Sequence, residues 1–180
     1  MNGLEIFEDT YQIIEKLDEG AGGIVYKAYH QRLKKSVVIK KIKGNMALDA
    51  CRKEVDILKN LRNSYLPQVL DFLVTDEGIY TVMSYIPGKS FKHLMDEHRA
   101  FTVNQLARWG MQLCNALSYL HNQNPPIIHG DIKPSNIMLT PDGNICLIDF
   151  NISFYLDEDV VLGYTNGYTS PEQYILALDS

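Results

Sequence analysis

The densest group of residues that could perform chemistry lies between positions 127 and 139, where Asp131, Lys133 and Asn136 fall within six residues. Apolar residues flank this group on both sides, which predicts that the segment is largely buried. Because an unpaired buried charge is costly, such a cluster is usually paired or functional. The apolar residues 145–148 lead directly to another carboxylate, Asp149. Two carboxylates and an amide oxygen are hard ligands, so these side chains predict a Mg²⁺ site.

Two features nearer the N-terminus could hold a phosphate group. The first is a loop with three glycines in four residues, Gly20, Gly22 and Gly23, whose backbone could approach a ligand closely. A plain glycine-rich hairpin explains this loop about as well. The second feature is Lys40, which strand alternation places on the same face as Val38. This lysine is either an edge residue in solvent or a cation held against a phosphate at the mouth of an apolar pocket.

The elements that position these residues change in character near Pro87-Gly88. Before that point, apolar runs and turn residues predict strands over residues 11–17, 24–30, 37–42, 68–74 and 79–86. One helix is predicted there, over residues 46–61, with Glu54 at the border of its apolar stripe. After that point a long helix is predicted over residues 103–122, ended by Pro125-Pro126. Its apolar stripe consists of Leu106, Trp109, Leu113, Ala116, Leu117 and Leu120.

A hairpin is predicted after the long helix, because a turn at residues 141–144 joins two short apolar runs. This hairpin should bring Asp131, Asn136 and Asp149 to one end. Together the elements predict an α+β fold, with a strand-rich part over residues 1–86 and a helix-rich part over residues 87–180.

Composition disfavours several classes of protein. The 180 residues are 46% hydrophobic and 22% charged, as expected for one globular domain or two small lobes. A net charge of -5 argues against non-specific nucleic-acid binding. There is no apolar run of bilayer length and no basic secretory start, and the three cysteines are widely spaced, which disfavours a disulfide framework or a Cys-based zinc site. We expect no nucleic-acid partner, no membrane segment and a cytoplasmic location.

Taken in order, these features resemble the eukaryotic-type protein kinase family over almost the whole chain. The matching segments are the glycine-rich loop, Val37-Val38-Ile39-Lys40 for V-A-I-K, Glu54 on a helix, His129-Gly130-Asp131 with Asn136 for H-R-D-L-x-x-x-N, Asp149-Phe150-Asn151 for D-F-G, and Ser170-Pro171-Glu172 for A-P-E. Each segment is modest alone, but the ordered set is highly specific. Lys133 resembles the Ser/Thr-specific form, and the segment around it is most similar to bacterial members.

The resemblance implies a protein-kinase-like two-lobe fold, with an antiparallel-sheet N-terminal lobe containing one helix and a helical C-terminal lobe. It implies that ATP and Mg²⁺ are used to phosphorylate a Ser or Thr hydroxyl of a protein substrate. In that scheme Asp131 orients the hydroxyl and accepts its proton, while Lys133 steadies the phosphoryl group. Asn136 and Asp149 hold Mg²⁺.

The same resemblance implies a nucleotide site in the N-terminal part. Lys40 would hold the α- and β-phosphates and pair with Glu54. The residues expected to contact the nucleotide are Leu17, Gly20, Gly22, Gly23, Val25, Val38, Lys40, Met83, Ser84, Ile86 and Met138.

Three positions depart from the family pattern. Asp18 replaces the first loop glycine, and its carboxylate would repel phosphates unless it points away. Asn151 replaces the glycine of D-F-G, a tolerable change because Asn accepts left-handed backbone. Gly130 replaces the arginine that receives an activation-loop phosphate, so we expect no need for loop phosphorylation.

The chain also stops eight residues after Glu172, before the helices that complete the C-terminal lobe in this family. We therefore expect an incomplete C-terminal lobe, with part of the helix over residues 103–122 exposed or covered by a further region or a partner chain. The alternative function is a weak or inactive pseudokinase that acts as an ATP- or protein-binding module. A small-molecule kinase is disfavoured by Lys133 and by Ser170-Pro171-Glu172.

Overall fold

The computed structural model describes residues 9–20, 23–42, 58–75, 78–149 and 167–171. The chain divides into two compact units. Unit 1 comprises Met1–Arg62 and Pro67–Tyr85, and unit 2 comprises Asn63–Leu66 and Ile86–Ser180.

Unit 1 contains a five-stranded antiparallel sheet with the order β1-β2-β3-β5-β4. Its strands are β1 (Tyr11–Gly20), β2 (Gly23–His30), β3 (Lys35–Ile42), β4 (Val69–Thr75) and β5 (Gly78–Ser84). All five predicted strands are therefore confirmed, with shifted ends. The last strand ends at Ser84 rather than at residue 86, shortly before Pro87, which cannot donate a ladder hydrogen bond.

The core of unit 1 lies on one face of this sheet. It is formed by Tyr11, Ala28, Val37, Ile39, Tyr80 and Val82. Val37 and Ile39 are fully buried on β3, and alternation places Lys40 on the opposite face from them, as predicted. Burying a Val or Ile side chain stabilises a fold by about 1.5–3 kcal/mol, so these two residues strongly favour the observed register of β3.

The described residues of unit 2 include helices α1 (Phe91–Asp96) and α2 (Val103–His121) and a three-stranded sheet. The sheet consists of β6 (Lys89–Ser90), β7 (Ile137–Leu139) and β8 (Ile145–Leu147), and a 3-10 turn over Pro134–Asn136 leads into β7. Helix α2 begins with a capping box, in which the Thr102 hydroxyl accepts from the backbone N–H of Gln105 and the Gln105 side chain accepts from the backbone N–H of Thr102.

The long helix and the hairpin are thus confirmed, but the buried face of α2 differs from the predicted stripe. Trp109, Ala116 and Leu120 are buried, whereas Leu106 is 51% exposed. Gln112 is buried among them, although it is polar. The helix ends at His121, one residue before the predicted end and a few residues before Pro125-Pro126. The backbone N–H of Gln123 bonds to the Leu120 carbonyl at 3.1 Å, an i−3 contact that tightens the last turn.

Several predicted features lie outside the described residues. These are most of the helix over residues 46–61 with Glu54, Gly22 of the loop, Phe150 and Asn151 of D-F-G, and Glu172. Leu58–Asn60, at the end of the predicted helix, are helical. Among the helices that the structure describes, none is both long and apolar enough to cross a membrane.

Candidate active site

In unit 1, strand register collects four predicted residues on one face of the sheet. Lys40 lies directly opposite Val25 on β2, and Val38 lies opposite Met83 on β5. Directly paired residues of an antiparallel sheet point to the same face, and Val38 and Lys40 share a face because they are two apart. Lys40 is only 5% exposed on this face. The face also carries two further charged residues, Lys27 opposite Val38 on β2 and Asp18 opposite Val25 on β1.

Thr81 also belongs to this face, because it lies opposite Lys40 on β5. It is fully buried, and its hydroxyl has no hydrogen-bond partner among the residues that the structure describes. Burying an unpaired hydroxyl is unfavourable, so this atom is an unsatisfied polar group beside the lysine. Thr81 was not among the predicted site residues, although its place two residues before Met83 on the same strand face could have indicated it.

The glycine-rich hairpin is narrow at its base, where Gly20 pairs with Gly23. Gly23 has φ 131°, a backbone conformation that side chains rarely allow, which explains a glycine there. Asp18 lies in β1, exposed, and its Oδ1 accepts from the backbone N–H of Glu19 at 2.8 Å. This bond ties the carboxylate to its own strand.

The other residues predicted to contact the nucleotide lie outside this face of the sheet or in unit 2, and their roles stay predictions. Leu17 is half exposed, beside a register shift in β1. The backbone N–H of Ser84 donates to the carbonyl of Gln68 at 2.8 Å, so this N–H already has a partner within unit 1. Ile86 and Met138 belong to unit 2 and are partly buried.

In unit 2, Asp131, Lys133 and Asn136 contact one another as a group. Lys133 Nζ lies 2.7 Å from Asp131 Oδ2, and Asn136 Nδ2 donates to the same oxygen at 3.0 Å. Asn136 Nδ2 also donates to the Asp131 carbonyl at 2.8 Å. Two donors to one carboxylate oxygen fix the orientation of Asp131. The predicted polar cluster is therefore paired.

Asp149 is brought to this group through the backbone. The N–H of Ile148 donates to the Asn136 carbonyl at 2.8 Å, and Asp149 is the next residue along the chain. Asp149 has φ 62°, the left-handed conformation, which turns the chain immediately after the strand segment. The prediction that the hairpin gathers Asp131, Asn136 and Asp149 at one end agrees with this arrangement.

His129 joins the two segments that carry these carboxylates. Its ring is 1% exposed. The backbone N–H of Asp131 donates to Nδ1 at 3.4 Å, so the ring proton is on Nε2, which donates to the Ile148 carbonyl at 3.0 Å. A neutral histidine in this tautomer holds the segment before Asp131 against the segment before Asp149.

The hairpin turn is anchored to α2 by side-chain amides. Gln112 Oε1 accepts from the backbone N–H of Ile145 at 2.9 Å, and Gln112 Nε2 donates to Asn144 Oδ1 at 2.7 Å. Arg108 donates to the same Asn144 oxygen at 2.7 Å, and the Trp109 indole donates to the Gly143 carbonyl at 3.0 Å. This network was not predicted from the sequence. The signal was Gln112 itself, a polar residue three positions after Trp109 and four before Ala116, on the buried face.

Cys146 lies opposite Met138 in the hairpin and is buried. Burial raises the pKa of its thiol to about 12. The thiol is therefore a packing group rather than a nucleophile.

Comparison with known proteins gives the family. A model of the protein kinase domain matches residues 11–175. A probable serine/threonine-protein kinase of Clostridium perfringens is 31% identical over 94% of this chain, and the match covers 26% of that protein. Cyclin-dependent kinase 1 of Encephalitozoon cuniculi is 32% identical over 80% of this chain, and the match covers 50% of that protein. The serine/threonine-protein kinase Nek6 of Oryza sativa is 34% identical over 91% of this chain, and the match covers 32% of that protein.

The chain thus spans between a quarter and a half of the length of these relatives. The match nevertheless covers nearly all of the chain and includes both groups of polar residues described above. This chain belongs to the protein kinase domain family.

Proposed function

We propose that this chain transfers the γ-phosphoryl group of ATP, with Mg²⁺, to a serine or threonine hydroxyl of a protein substrate. The observation that carries the proposal is the contact of Asp131 Oδ2 with both Lys133 Nζ, at 2.7 Å, and Asn136 Nδ2, at 3.0 Å. Phosphoryl transfer depends mainly on positioning and electrostatic stabilisation. A fixed carboxylate beside a cation and an amide supplies both.

Asp131 is the proton acceptor in this proposal. Its carboxylate orients the substrate hydroxyl and takes the proton as the hydroxyl oxygen attacks the γ-phosphorus. Lys133 is about a quarter exposed, so its ammonium is accessible to the oxygens of the transferring phosphoryl group. Both groups sit on the segment that His129 holds in place.

The donor set fits Mg²⁺. Asn136 uses its amide nitrogen on Asp131, which turns its amide oxygen away from that residue. Mg²⁺ is typically held by one or two carboxylates together with phosphate oxygens and waters, so Asn136 and Asp149 are a sufficient protein contribution. When bound, the cation neutralises negative charge on the phosphates.

In unit 1, the face with Val25, Val38 and Met83 contacts the adenine, and Lys40 binds the α- and β-phosphates. An ammonium group that is nearly removed from water interacts more strongly with an anion than an exposed one. Glu54 is proposed as the carboxylate that orients Lys40.

The choice of Ser/Thr over Tyr rests on Lys133 and on relatives named as serine/threonine-protein kinases. The test is to incubate the chain with γ-labelled ATP, Mg²⁺ and a mixture of casein and histone, followed by phosphoamino-acid analysis. We expect label on phosphoserine or phosphothreonine, lost on chelation of Mg²⁺ and in Asp131→Asn. ATP binding with no transfer to any protein, including the chain itself, would contradict the proposal and support a binding module.

A further inference from the structure

Unit 2 contains a cavity of about 330 Å³ between α1, α2 and the turn that joins β7 to β8. Its apolar lining is formed by Leu94, Trp109 and Leu139. Leu94 is only 1% exposed, so this lining is part of the packed core of the unit. None of the residues proposed for phosphoryl transfer lines the cavity. A second ligand could therefore occupy it independently of ATP.

Trp109, the aromatic residue of the cavity lining, is held by two rings behind it. The rings of Phe91, Phe101 and Trp109 contact one another, with centroids 5.1 to 5.7 Å apart. Two of the three contacts are edge-to-face, the arrangement that aromatic pairs prefer. The indole nitrogen of Trp109 is bonded to the Gly143 carbonyl, which fixes the ring from the other side.

The rim of the cavity is cationic. Lys89, Arg99 and Arg108 line it, and no carboxylate is among its described lining residues, although the chain as a whole has a net charge of -5. Lys89 is neutralised by Glu97, whose Oε1 lies 2.6 Å from Nζ. The nearest acidic residue of the turn, Asp142, is bonded to Thr140 and Asn144.

The two arginines have no such counter-charge. Within the part of the chain that the structure describes, no carboxylate forms an ion pair with either guanidinium group. Arg108 donates to the neutral amide of Asn144, and the guanidinium carbon of Arg99 lies 5.8 Å from the centroid of the Phe101 ring. The described partners of both guanidinium groups are therefore neutral, which leaves both groups open to an anion.

We propose that this cavity docks an acidic segment of a partner protein. One bulky apolar side chain of the segment enters the cavity, and flanking Asp or Glu carboxylates pair with Arg99 and Arg108. The volume lies at the lower end of the range for ligand sites, about 300–1,000 Å³, and so suits one anchoring side chain. The cations belong to two elements, since Arg99 follows α1 and Arg108 lies on α2, and a peptide can reach both while its apolar side chain is buried. Complementary charge supplies the specificity.

Trp109 provides a direct readout, because it is the single tryptophan of the chain and lines the cavity. The probe is a set of peptides of about ten residues, each with a central Leu or Phe flanked by Asp and Glu. Binding is followed by Trp109 fluorescence at about 50 and 300 mM salt, because pairing with exposed guanidinium groups weakens as salt screens it. Peptides with Lys in place of Glu are the sequence control.

We expect saturable binding, weaker at the higher salt concentration, and at least a tenfold rise in Kd for Arg99→Glu. The matched control is Arg32→Glu, which makes the same charge change at an exposed arginine between β2 and β3. It should change Kd less than about twofold. Arg99→Lys keeps the charge and should retain binding, which separates loss of charge from loss of folding.

Three results would overturn the proposal. The first is the lack of saturable binding of any acidic peptide up to about 1 mM. The second is equal weakening by Arg99→Glu and Arg32→Glu, which would mean that the peptides respond only to net charge. The third is displacement of the peptide by inorganic phosphate or succinate at equal concentration, which would assign the rim to small anions. None of these readouts needs phosphoryl transfer.

Discussion

Lys40 in unit 1 and Asp131 in unit 2 are held in place by different kinds of contact. Lys40 lies in the middle of β3, which pairs with β2 on one side and β5 on the other. Its neighbours Val37 and Ile39 are fully buried on the opposite face. Asp131 lies in an irregular segment, and it is positioned by single polar contacts from Lys133, Asn136 and His129.

The difference predicts how each region responds to substitution. In the sheet, many backbone hydrogen bonds and buried side chains share the task of fixing the register, so one changed side chain leaves the backbone in place. Around Asp131 the backbone is irregular and polar side-chain contacts fix its position, so a change there is expected to alter position as well as chemistry.

The largest effect expected in unit 1 follows from Lys40→Met. Removing this cation should lower kcat/KM for phosphoryl transfer by about 10²–10³, the range for loss of one electrostatic donor in an active site. The sheet should remain folded, because Met replaces a nearly buried side chain with one of similar length. Kinetics of the variant test the loss of kcat/KM, and thermal unfolding of the same preparation tests whether the sheet remains folded. Turnover at the parent rate, or loss of the folded state, would contradict the proposed role of Lys40.

The next largest effect concerns the stability of unit 2 and a close backbone contact at Gly88. Gly88 has φ 129°, and a Cβ added there would lie 2.1 Å from the Leu139 carbonyl oxygen of β7. Gly88→Ala should therefore lower the free energy of unfolding by about 2–3 kcal/mol.

Gly143→Ala is the matched control, because Gly143 also has a positive φ, 78°, but apart from its chain neighbours no atom of the described residues lies within 4 Å of the added carbon. It should cost only the conformational strain, about 1–2 kcal/mol. Urea unfolding measures both variants. An equal loss in the two would mean that the contact with β7 contributes nothing.

A substitution in the amide network around Gln112 should lower stability by a smaller amount and should also lower kcat. Gln112→Leu leaves the buried N–H of Ile145 without its acceptor, at a cost of about 1–3 kcal/mol. The hairpin that leads to Asp149 loses its anchor, so kcat should fall although Gln112 touches no reacting group. Met111→Leu, at the exposed neighbouring position, should stay within about 0.5 kcal/mol of the parent. Identical stability and kcat in both variants would show that the network does not position the hairpin.

The smallest expected effect concerns pH and lies at the end of the sheet strand β2. Burial, together with nearby Lys35, lowers the pKa of His30, whose ring contacts Tyr11 at 4.8 Å between centroids. Below the ordinary pKa of about 6.5 the unfolded chain binds a proton that the folded chain does not, so stability falls as the pH falls from 7 toward 5. The parent should lose more stability over this interval than His30→Gln. Urea unfolding at both pH values checks this, and equal losses would show that His30 does not contribute.

The difference between the sheet around Lys40 and the polar contacts around Asp131 also explains which features could be predicted from the sequence. The strands of unit 1 and the face that carries Lys40 follow from alternation, which is local and repeats every two residues. The helix over residues 103–121 and the hairpin follow from apolar periodicity and turn residues in the same way. These elements were predicted within a few residues.

The contacts that position Asp131 could not be predicted in this way. Gln112 and Ile145 are 33 residues apart, and nothing local to either indicates that they meet. Gly130 was interpreted only as the loss of an arginine, yet its φ of 72° shows a left-handed backbone that glycine adopts without strain. Leu106 was placed on the buried stripe because of its spacing, but the buried face of α2 turns toward Gln112 instead. Such features depend on which surfaces meet, and periodicity does not contain that information.

The most direct test of the account compares Asp131→Asn with Asp149→Asn. Calorimetric titration with ATP, in the presence and absence of Mg²⁺, is combined with the turnover number of each variant. The account predicts that Asp131→Asn lowers kcat by about 10²–10⁴ with unchanged ATP affinity, because this carboxylate acts on the acceptor hydroxyl. Asp149→Asn should instead abolish the gain in ATP affinity that Mg²⁺ provides. Equal effects of the two substitutions on Mg²⁺-dependent ATP binding would contradict the division of roles between the two carboxylates.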